Sequence, residues 1–174
     1  NPCPAGTFQP DYGQTGQVRA NGLPTCIACH EGYFCEEASD RPIKCPFGTY
    51  MDEESNESKE NCKECPAGSF CGTGAIDNST GGGIEICPTG HFCPAGTGGE
   101  DEFDPDIPEC PAGTFNDKTG MSRVEDCQVC PPGSFCGSGV EDFTACAPGS
   151  YSDQSGILSQ TDCTKCPAGF KCAG

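Results

Sequence analysis

Cys110-Pro111-Ala112-Gly113-Thr114-Phe115, running on to Glu125-Asp126-Cys127-Gln128-Val129-Cys130-Pro131-Pro132-Gly133-Ser134-Phe135-Cys136, is the stretch that decides how this chain is read. Its four cysteines stand with sixteen, two and five residues between them. The same spacing returns at Cys45, Cys62, Cys65 and Cys71, and again at Cys146, Cys163, Cys166 and Cys172. Cys3, Cys26, Cys29 and Cys35 keep the order with a longer first gap, extended in part by Asn21-Gly22-Leu23-Pro24. Cys110 to Cys146 gives a period of 36, and Cys87 with Cys93 is left over as a half unit. Self-similarity at such a period marks a repeat array in which each unit touches mainly its neighbours. The units run over 1–44, 45–86, 110–145 and 146–174, with a half repeat and acidic insertion over 87–109.

The residues around the cysteines repeat as well. A glycine stands three positions after the first cysteine, as at Gly113, and after the third, as at Gly133. Nine such glycines point to one backbone constraint, most simply a turn that needs positive φ. Proline just after the cysteine, as in Cys65-Pro66-Ala67-Gly68, presets φ for that turn. An aromatic usually follows the glycine by two (Phe8, Phe34, Tyr50, Phe70, Phe92, Phe115, Phe135, Tyr151) and is expected to cover its unit's disulfides and pack on the next unit. Asn61, Asp126 and Asp162 each precede a second cysteine. Asn116-Asp117-Lys118-Thr119-Gly120 and Ser152-Asp153-Gln154-Ser155-Gly156 read as hairpin loops between short strands. The expected fold class is small and disulfide-rich: an elongated tandem array of short β-hairpin and loop modules, with little regular secondary structure and no helices of note.

Composition points the same way. Among 174 residues there are 25 Gly, 16 Pro and no Trp, too little apolar mass for one continuous core. The counterweight is 18 Cys, an even number that fits nine bridges in an oxidising compartment. The chain is therefore expected to be extracellular or at the cell surface. Two sequons, at Asn56 and Asn78, are compatible with glycosylation there. No apolar run approaches the length of a membrane span, and direct insertion into a membrane is not expected. The chain opens on Asn1 without a signal peptide and reads as a processed or excised piece of something longer. A net charge of −17 disfavours nucleic acid and anionic lipid as partners.

Four cysteines allow three connectivities, and spacing alone does not choose. The half unit Cys87-Pro88-Thr89-Gly90-His91-Phe92-Cys93 matches the third-to-fourth segment Cys65 to Cys71. If it is paired on its own, third bonds fourth and first bonds second. That scheme gives Cys3–Cys26, Cys29–Cys35, Cys45–Cys62, Cys65–Cys71, Cys87–Cys93, Cys110–Cys127, Cys130–Cys136, Cys146–Cys163 and Cys166–Cys172. Closing a loop of roughly 17 residues stabilises by about 3 kcal/mol on the chain-entropy model. An alternative stays open, because Cys93-Pro94-Ala95-Gly96-Thr97 also resembles a first-cysteine motif with Cys110 seventeen residues on.

The Cys110–Cys136 stretch resembles the ephrin-receptor-like cysteine-rich repeat, related in style to the modules of tumour-necrosis-factor receptors. The resemblance covers nearly all of the chain apart from the stretch between Cys71 and Cys110. Ala147 in place of Pro, Phe170 one position early and the missing half unit depart from the pattern. In the family the repeat occurs in receptor ectodomains, secreted multidomain proteins and large surface proteins, and it implies a fold with no catalysis attached.

Other chemistries fit the same residues less well. The Cys-x-x-Cys pairs Cys26/Cys29, Cys62/Cys65, Cys127/Cys130 and Cys163/Cys166 invite zinc or a redox dithiol, but successive pairs lie 36 or more residues apart. His30 and His91 sit where other units carry ordinary residues. Glu100-Asp101-Glu102-Phe103-Asp104-Pro105-Asp106 lacks the Gly and closing Glu of an EF-hand loop. It admits only a weak calcium site near Asp101, Asp104 and Asp106, against the plainer reading of a solvated acidic insertion. Asp52, Glu53, Glu54 and Glu57 form a second acidic loop. No nucleophile elbow, phosphate loop or histidine cluster is present, so neither an enzyme nor a resident cofactor is expected. Two functions remain. One is a structural or adhesive rod of a cell-surface or filament protein, whose partners are copies of itself or further repeats of the same polypeptide. The other is a receptor ectodomain that binds a protein ligand.

Overall fold

The computed structural model describes residues 2–9, 26–77, 82–102 and 104–172. The extension Asn21–Pro24 and the sequon residue Asn78 lie outside the described residues. Among the described residues, seven small two-stranded sheets make up the strand content. β1 (Thr7–Phe8) pairs with β2 (Ile27–Ala28), β3 (Tyr33–Phe34) with β4 (Ile43–Lys44), and β5 (Thr49–Tyr50) with β6 (Lys63–Glu64). β7 (Ser69–Cys71) pairs with β8 (Ile84–Ile86), and β9 (Thr114–Phe115) with β10 (Gln128–Val129). β11 (Ser134–Phe135) and β12 (Thr144–Ala145), then β13 (Ser150–Tyr151) and β14 (Thr164–Lys165), complete the set.

Each hairpin starts just after a turn glycine and returns just before the next turn-opening cysteine. The building block is thus a segment shorter than the four-cysteine unit. Nine segments begin at Cys3, Cys29, Cys45, Cys65, Cys87, Cys110, Cys130, Cys146 and Cys166. A two-residue strand has almost no stability of its own. The disulfides hold it: Cys3–Cys26, Cys45–Cys62, Cys110–Cys127 and Cys146–Cys163 close the long-loop segments. Cys29–Cys35, Cys65–Cys71, Cys87–Cys93, Cys130–Cys136 and Cys166–Cys172 close the short-loop segments, each spanning six positions.

The chain divides into two compact units. The first comprises Asn1–Cys65, Phe70–Glu85 and Gly96–Asp101, the second Pro66–Ser69, Ile86–Ala95 and Glu102–Gly174. In the first, Phe8 packs on Cys29 and Cys35, Phe34 on Cys45 and Met51 beside Cys62, and Tyr50 against Cys65, Cys71 and Ala75. In the second, Phe115 packs on Cys130 and Cys136 with Val140. Each of these aromatics therefore covers the disulfide of the following segment, not of its own. Sulfur takes the place of an aliphatic core, since most of the buried apolar residues are cysteines.

Three 3-10 turns, Lys59–Asn61, Val124–Asp126 and Gln160–Asp162, lead into Cys62, Cys127 and Cys163. Two of them account for the acid before the second cysteine. The Asp126 carboxylate accepts the backbone N–H groups of Ser122 and Arg123 at 3.2 and 3.0 Å. Asp162 likewise accepts those of Leu158 and Ser159 at 3.2 and 3.0 Å. Both satisfy the orphan donors of a short helical turn. Among the described residues, no helix is long and apolar enough to cross a membrane.

Candidate functional site

The most repeated chemistry in the molecule is the backbone junction between successive segments. Four hydrogen bonds define it, as the Cys110 and Cys130 segments illustrate. Gly113 donates to the Cys136 carbonyl (2.8 Å), and its own carbonyl accepts from Cys130 (2.9 Å). Asn116 donates to Val140 (3.1 Å), and Gly139 donates to Cys110 (3.0 Å).

Within the first compact unit the same four bonds join the Cys3 segment to the Cys29 segment through Gly6, Gln9 and Ala38. They join Cys29 to Cys45 through Gly32, Cys35 and Ser55, and Cys45 to Cys65 through Gly48, Met51 and Gly74. Two further bonds in that unit, Cys71 to Thr97 and Gly96 to Cys65, follow the rule. Within the second unit Gly68 donates to Cys93 and accepts from Cys87. The full set then joins Cys87 to Cys110 and Cys130 to Cys146. Long-loop and short-loop segments are interchangeable at this interface because side chains are not what it reads. A short-loop segment at Cys87 accordingly follows another at Cys65 with the same bonds.

The donor to each starting cysteine carbonyl stands nine or ten residues into its segment and is left-handed wherever it occurs. Gly74, Gly96, Gly120, Gly139 and Gly156 fill it, but so do Ala38 (φ 66°) and Ser55 (φ 61°). The turn glycine meets a second partner. A Cβ on Gly113 would lie 2.6 Å from the Gly156 carbonyl oxygen, and one on Gly68 2.6 Å from that of Gly120. Gly48 is closed in the same manner by Gly96, and Gly90 by Gly139. At Gly6, Gly32, Gly48, Gly68, Gly90 and Gly113 the turn glycine is thus required twice, by its φ and by a carbonyl two segments further on.

The side chains add smaller supports. The Thr7, Thr49, Thr114 and Ser150 hydroxyls donate to Pro4, Pro46, Pro111 and Ala147 at 2.6–2.7 Å, closing the turn. Asn116, 1% exposed, donates to the carbonyls of His91 (3.0 Å) and Lys118 (2.8 Å) and accepts from the Lys118 N–H (3.0 Å).

The Cys-x-x-Cys pairs acquire a structural meaning. Cys127 and Cys130 flank β10, and three positions along a strand separate Cα atoms by about 10 Å, beyond the ~7 Å reach of a disulfide. Each bonds outward instead, Cys127 to Cys110 and Cys130 to Cys136. No free cysteine remains. His30 stacks edge-on with Phe8 at 6.2 Å, and His91 Nδ1 lies 2.9 Å from the Thr89 carbonyl.

Asn56 is buried, 6% exposed, and its Nδ2 donates to the Ser58 carbonyl at 3.2 Å. A glycan on Nδ2 would have to break that arrangement. In the acidic loop beside it, Lys63 Nζ reaches Asp52 and also Glu53 at 3.1 Å. The hydrogen bond from Lys63 holds the Asp52 carboxyl below its ordinary range, and its two carboxylate partners raise Lys63. Of the calcium candidates, Asp104 accepts the Asp106 backbone N–H at 2.9 Å, the geometry of an Asx turn. Among the described residues, no group of three or more His, Cys, Asp or Glu is arranged to hold a metal.

No family model matches the chain. Parts of it are similar to signal peptide, CUB and EGF-like domain-containing protein 2 from three vertebrates. The Danio rerio protein is 31% identical over 104 residues, 52% of this chain and 10% of the relative. The Mus musculus protein is 38% identical over 74 residues (34% and 7%), and the Homo sapiens protein 29% over 102 residues (59% and 9%). The chain thus spans a tenth or less of the length of these relatives.

Proposed function

We propose that this chain is an extracellular structural or adhesive segment of a larger cell-surface or filament protein, built from ephrin-receptor-like cysteine-rich repeats. The observation that carries the reading is the junction itself. A four-bond backbone interface made again and again without regard to side chains is suited to building length and holding it. Nine disulfides require an oxidising compartment. The likeness to proteins whose name carries a signal peptide supports the same placement.

A second reading, a receptor ectodomain for a protein ligand, is favoured by one observation. Ile86 and Val129, each just before a segment-opening cysteine in the second compact unit, are 66% and 60% exposed. They lie beside Gly120 and Gly156 respectively.

The experiment is intact mass with and without reductant, followed by electron microscopy of native material. A native mass lower by 18 hydrogens together with regular fibres supports the structural segment. The same mass shift with dispersed particles that capture a protein ligand moves the assignment to the receptor. An absent mass shift overturns both.

A further inference from the structure

Two hairpins, one in each compact unit, correspond residue for residue because their strands pair in the same register. In the first unit Tyr50 of β5 pairs with Lys63 of β6, and in the second Phe115 of β9 pairs with Gln128 of β10. Asp52 and Asp117 stand two residues after these aromatics. Lys63 brings its ammonium to Asp52, and to Glu53 at 3.1 Å. The first hairpin therefore holds a lysine head group against the aspartate, one strand over from an aromatic. In the second, Gln128 stands where the lysine would, and its Nε2 donates to Asp117 at 3.0 Å. The amide supplies a hydrogen bond but no charge.

The acids around this second position are more numerous. An open groove of about 420 Å³ is lined by Phe115, Asp117, Gln128, Glu141, Asp142 and Phe143. Its two rings meet edge to face with centroids 5.4 Å apart, and Phe143 stays 43% exposed. The Thr89 hydroxyl donates to Glu141 at 3.0 Å, which leaves that carboxylate with further acceptor capacity. No Lys or Arg lines the groove, Lys118 included, and among the described residues no ion pair reaches its three carboxylates. Aromatic and acidic walls together suit a cation carried on an apolar stem, which can lie along the rings while its head group meets the acids. A hydrated metal ion would use the acids and leave the rings idle.

We propose that this groove docks a lysine or arginine side chain of a separate, basic protein partner, in the place that Lys63 fills within the first unit. The inference goes beyond the structural reading above and stands on a different observation. The occupant follows from charge complementarity and from the internal precedent, since the corresponding position of the same chain already takes an ammonium. A net charge of −17 steers a basic partner toward the molecule, and the paired rings select where it seats.

The test is an NMR titration of the intact, oxidised chain with end-blocked hexalysine and hexa-arginine peptides. Near-physiological salt, where the Debye length is about 8 Å, suppresses diffuse attraction to the acidic surface. Amide shifts should saturate and concentrate at Phe115, Asp117, Gln128 and residues 141–143. Phe143→Leu keeps the net charge and most of the apolar volume, and should weaken binding about 2- to 5-fold. Gln128→Lys copies Lys63, fills the groove from within, and should weaken binding about tenfold or more. Ser155→Lys adds the same charge at an exposed position outside the groove and should change binding less than about twofold. Intact mass with all 18 cysteines bridged establishes that each variant keeps the fold. Shifts spread over the acidic surface at large, binding that does not saturate, or either groove variant binding as the wild type does overturns the proposal. So does a different occupant: groove shifts on concentrating the chain alone would identify a second copy, and calcium-induced shifts that survive Phe143→Leu would identify a metal ion. None of these results alters the disulfide mass shift or the fibres on which the structural reading is tested, so the two failures are distinguishable.

Discussion

Alanine at Gly113 and alanine at Gly133 should differ in cost although the two glycines have the same backbone shape. Their φ values are 88° and 83°, and both stand three residues after a segment-opening cysteine. Left-handed backbone costs an L-residue about 1–2 kcal/mol, and loss of glycine's freedom in the unfolded chain offsets roughly 0.4–1 of that. Gly133→Ala, with nothing within 4 Å of the new methyl, should therefore lose about 1 kcal/mol. Gly113→Ala carries the same term and adds a methyl 2.6 Å from the Gly156 carbonyl oxygen and 3.1 Å from Leu158 Cδ2. Forcing backbone aside in a packed contact adds about 1–3 kcal/mol. The assay is native-state hydrogen exchange with disulfides intact, read at the Gly156 N–H bonded to Cys130 and the Cys136 N–H bonded to Ile157. Relative to Gly133→Ala, Gly113→Ala should speed exchange at those amides about 5- to 150-fold. Equal exchange in the two variants would refute the claim that contact two segments along constrains the turn.

The two left-handed positions not held by glycine can be improved. Ala38→Gly and Ser55→Gly should each stabilise by about 0.5–1 kcal/mol, read as a higher denaturant midpoint, and a fall in midpoint would contradict the assignment of strain there. Asn116→Ala strands the Lys118 N–H and the carbonyls of His91 and Lys118, and should cost about 2–4 kcal/mol in guanidinium unfolding. Asn116→Ser should recover part of it, since Ser152 at the equivalent position makes a similar local turn with Gln154. Peptide mapping of material from a secretory host should find Asn56 unmodified, and occupancy there would mean that its loop opens. Asp52 is lowered by Lys63, so the stabilisation it lends the loop is complete above the ordinary Asp range and is lost as pH falls through its folded value. Both groups are exposed, so the effect should be small and confined to amides near Asp52 and Lys63 when exchange is compared between neutral and acid pH.

The four-cysteine spacing, the turn glycine and the hairpin loops were legible because each rests on residues that recur at fixed offsets. The finer segment was not, although its signal lay in the sequence. The left-handed donor falls nine residues in for short-loop segments and ten for long-loop ones, and Ala38 and Ser55 occupy it where glycine would have revealed it. A composition reading therefore sees scattered glycines where the backbone makes one position. The aromatic placement was legible at the scale of the four-cysteine unit: Phe8 covers Cys29–Cys35 of its own unit and Phe34 packs on Cys45 of the next. That the contact always falls one segment along was not, because it is made across the junction. The acid before the second cysteine was visible as a regularity, and its cause, a 3-10 turn with orphan N–H groups, needed coordinates. Asn56 shows the opposite failure. A three-residue motif reads as a surface feature, yet burial depends on the junction that recruits its carbonyl for Cys35.

The sequential disulfides also determine how the chain would behave under tension. A pull along the backbone from Cys110 to Cys146 enters the sulfur bridge at Cys110, leaves at Cys127, crosses two residues to Cys130, and passes through a second bridge to Cys136. Only the Cys127–Cys130 and Cys136–Cys146 stretches carry load, thirteen peptide steps in all, with Cα–Cα crossings of 5.9 and 6.0 Å at the bridges. At about 3.5 Å per step the repeat can be drawn to roughly 60 Å, against about 125 Å with the bridges reduced. Half its contour is hidden from force, so an oxidised molecule acts as a short-leashed tether and a reduced one as a long, slack one.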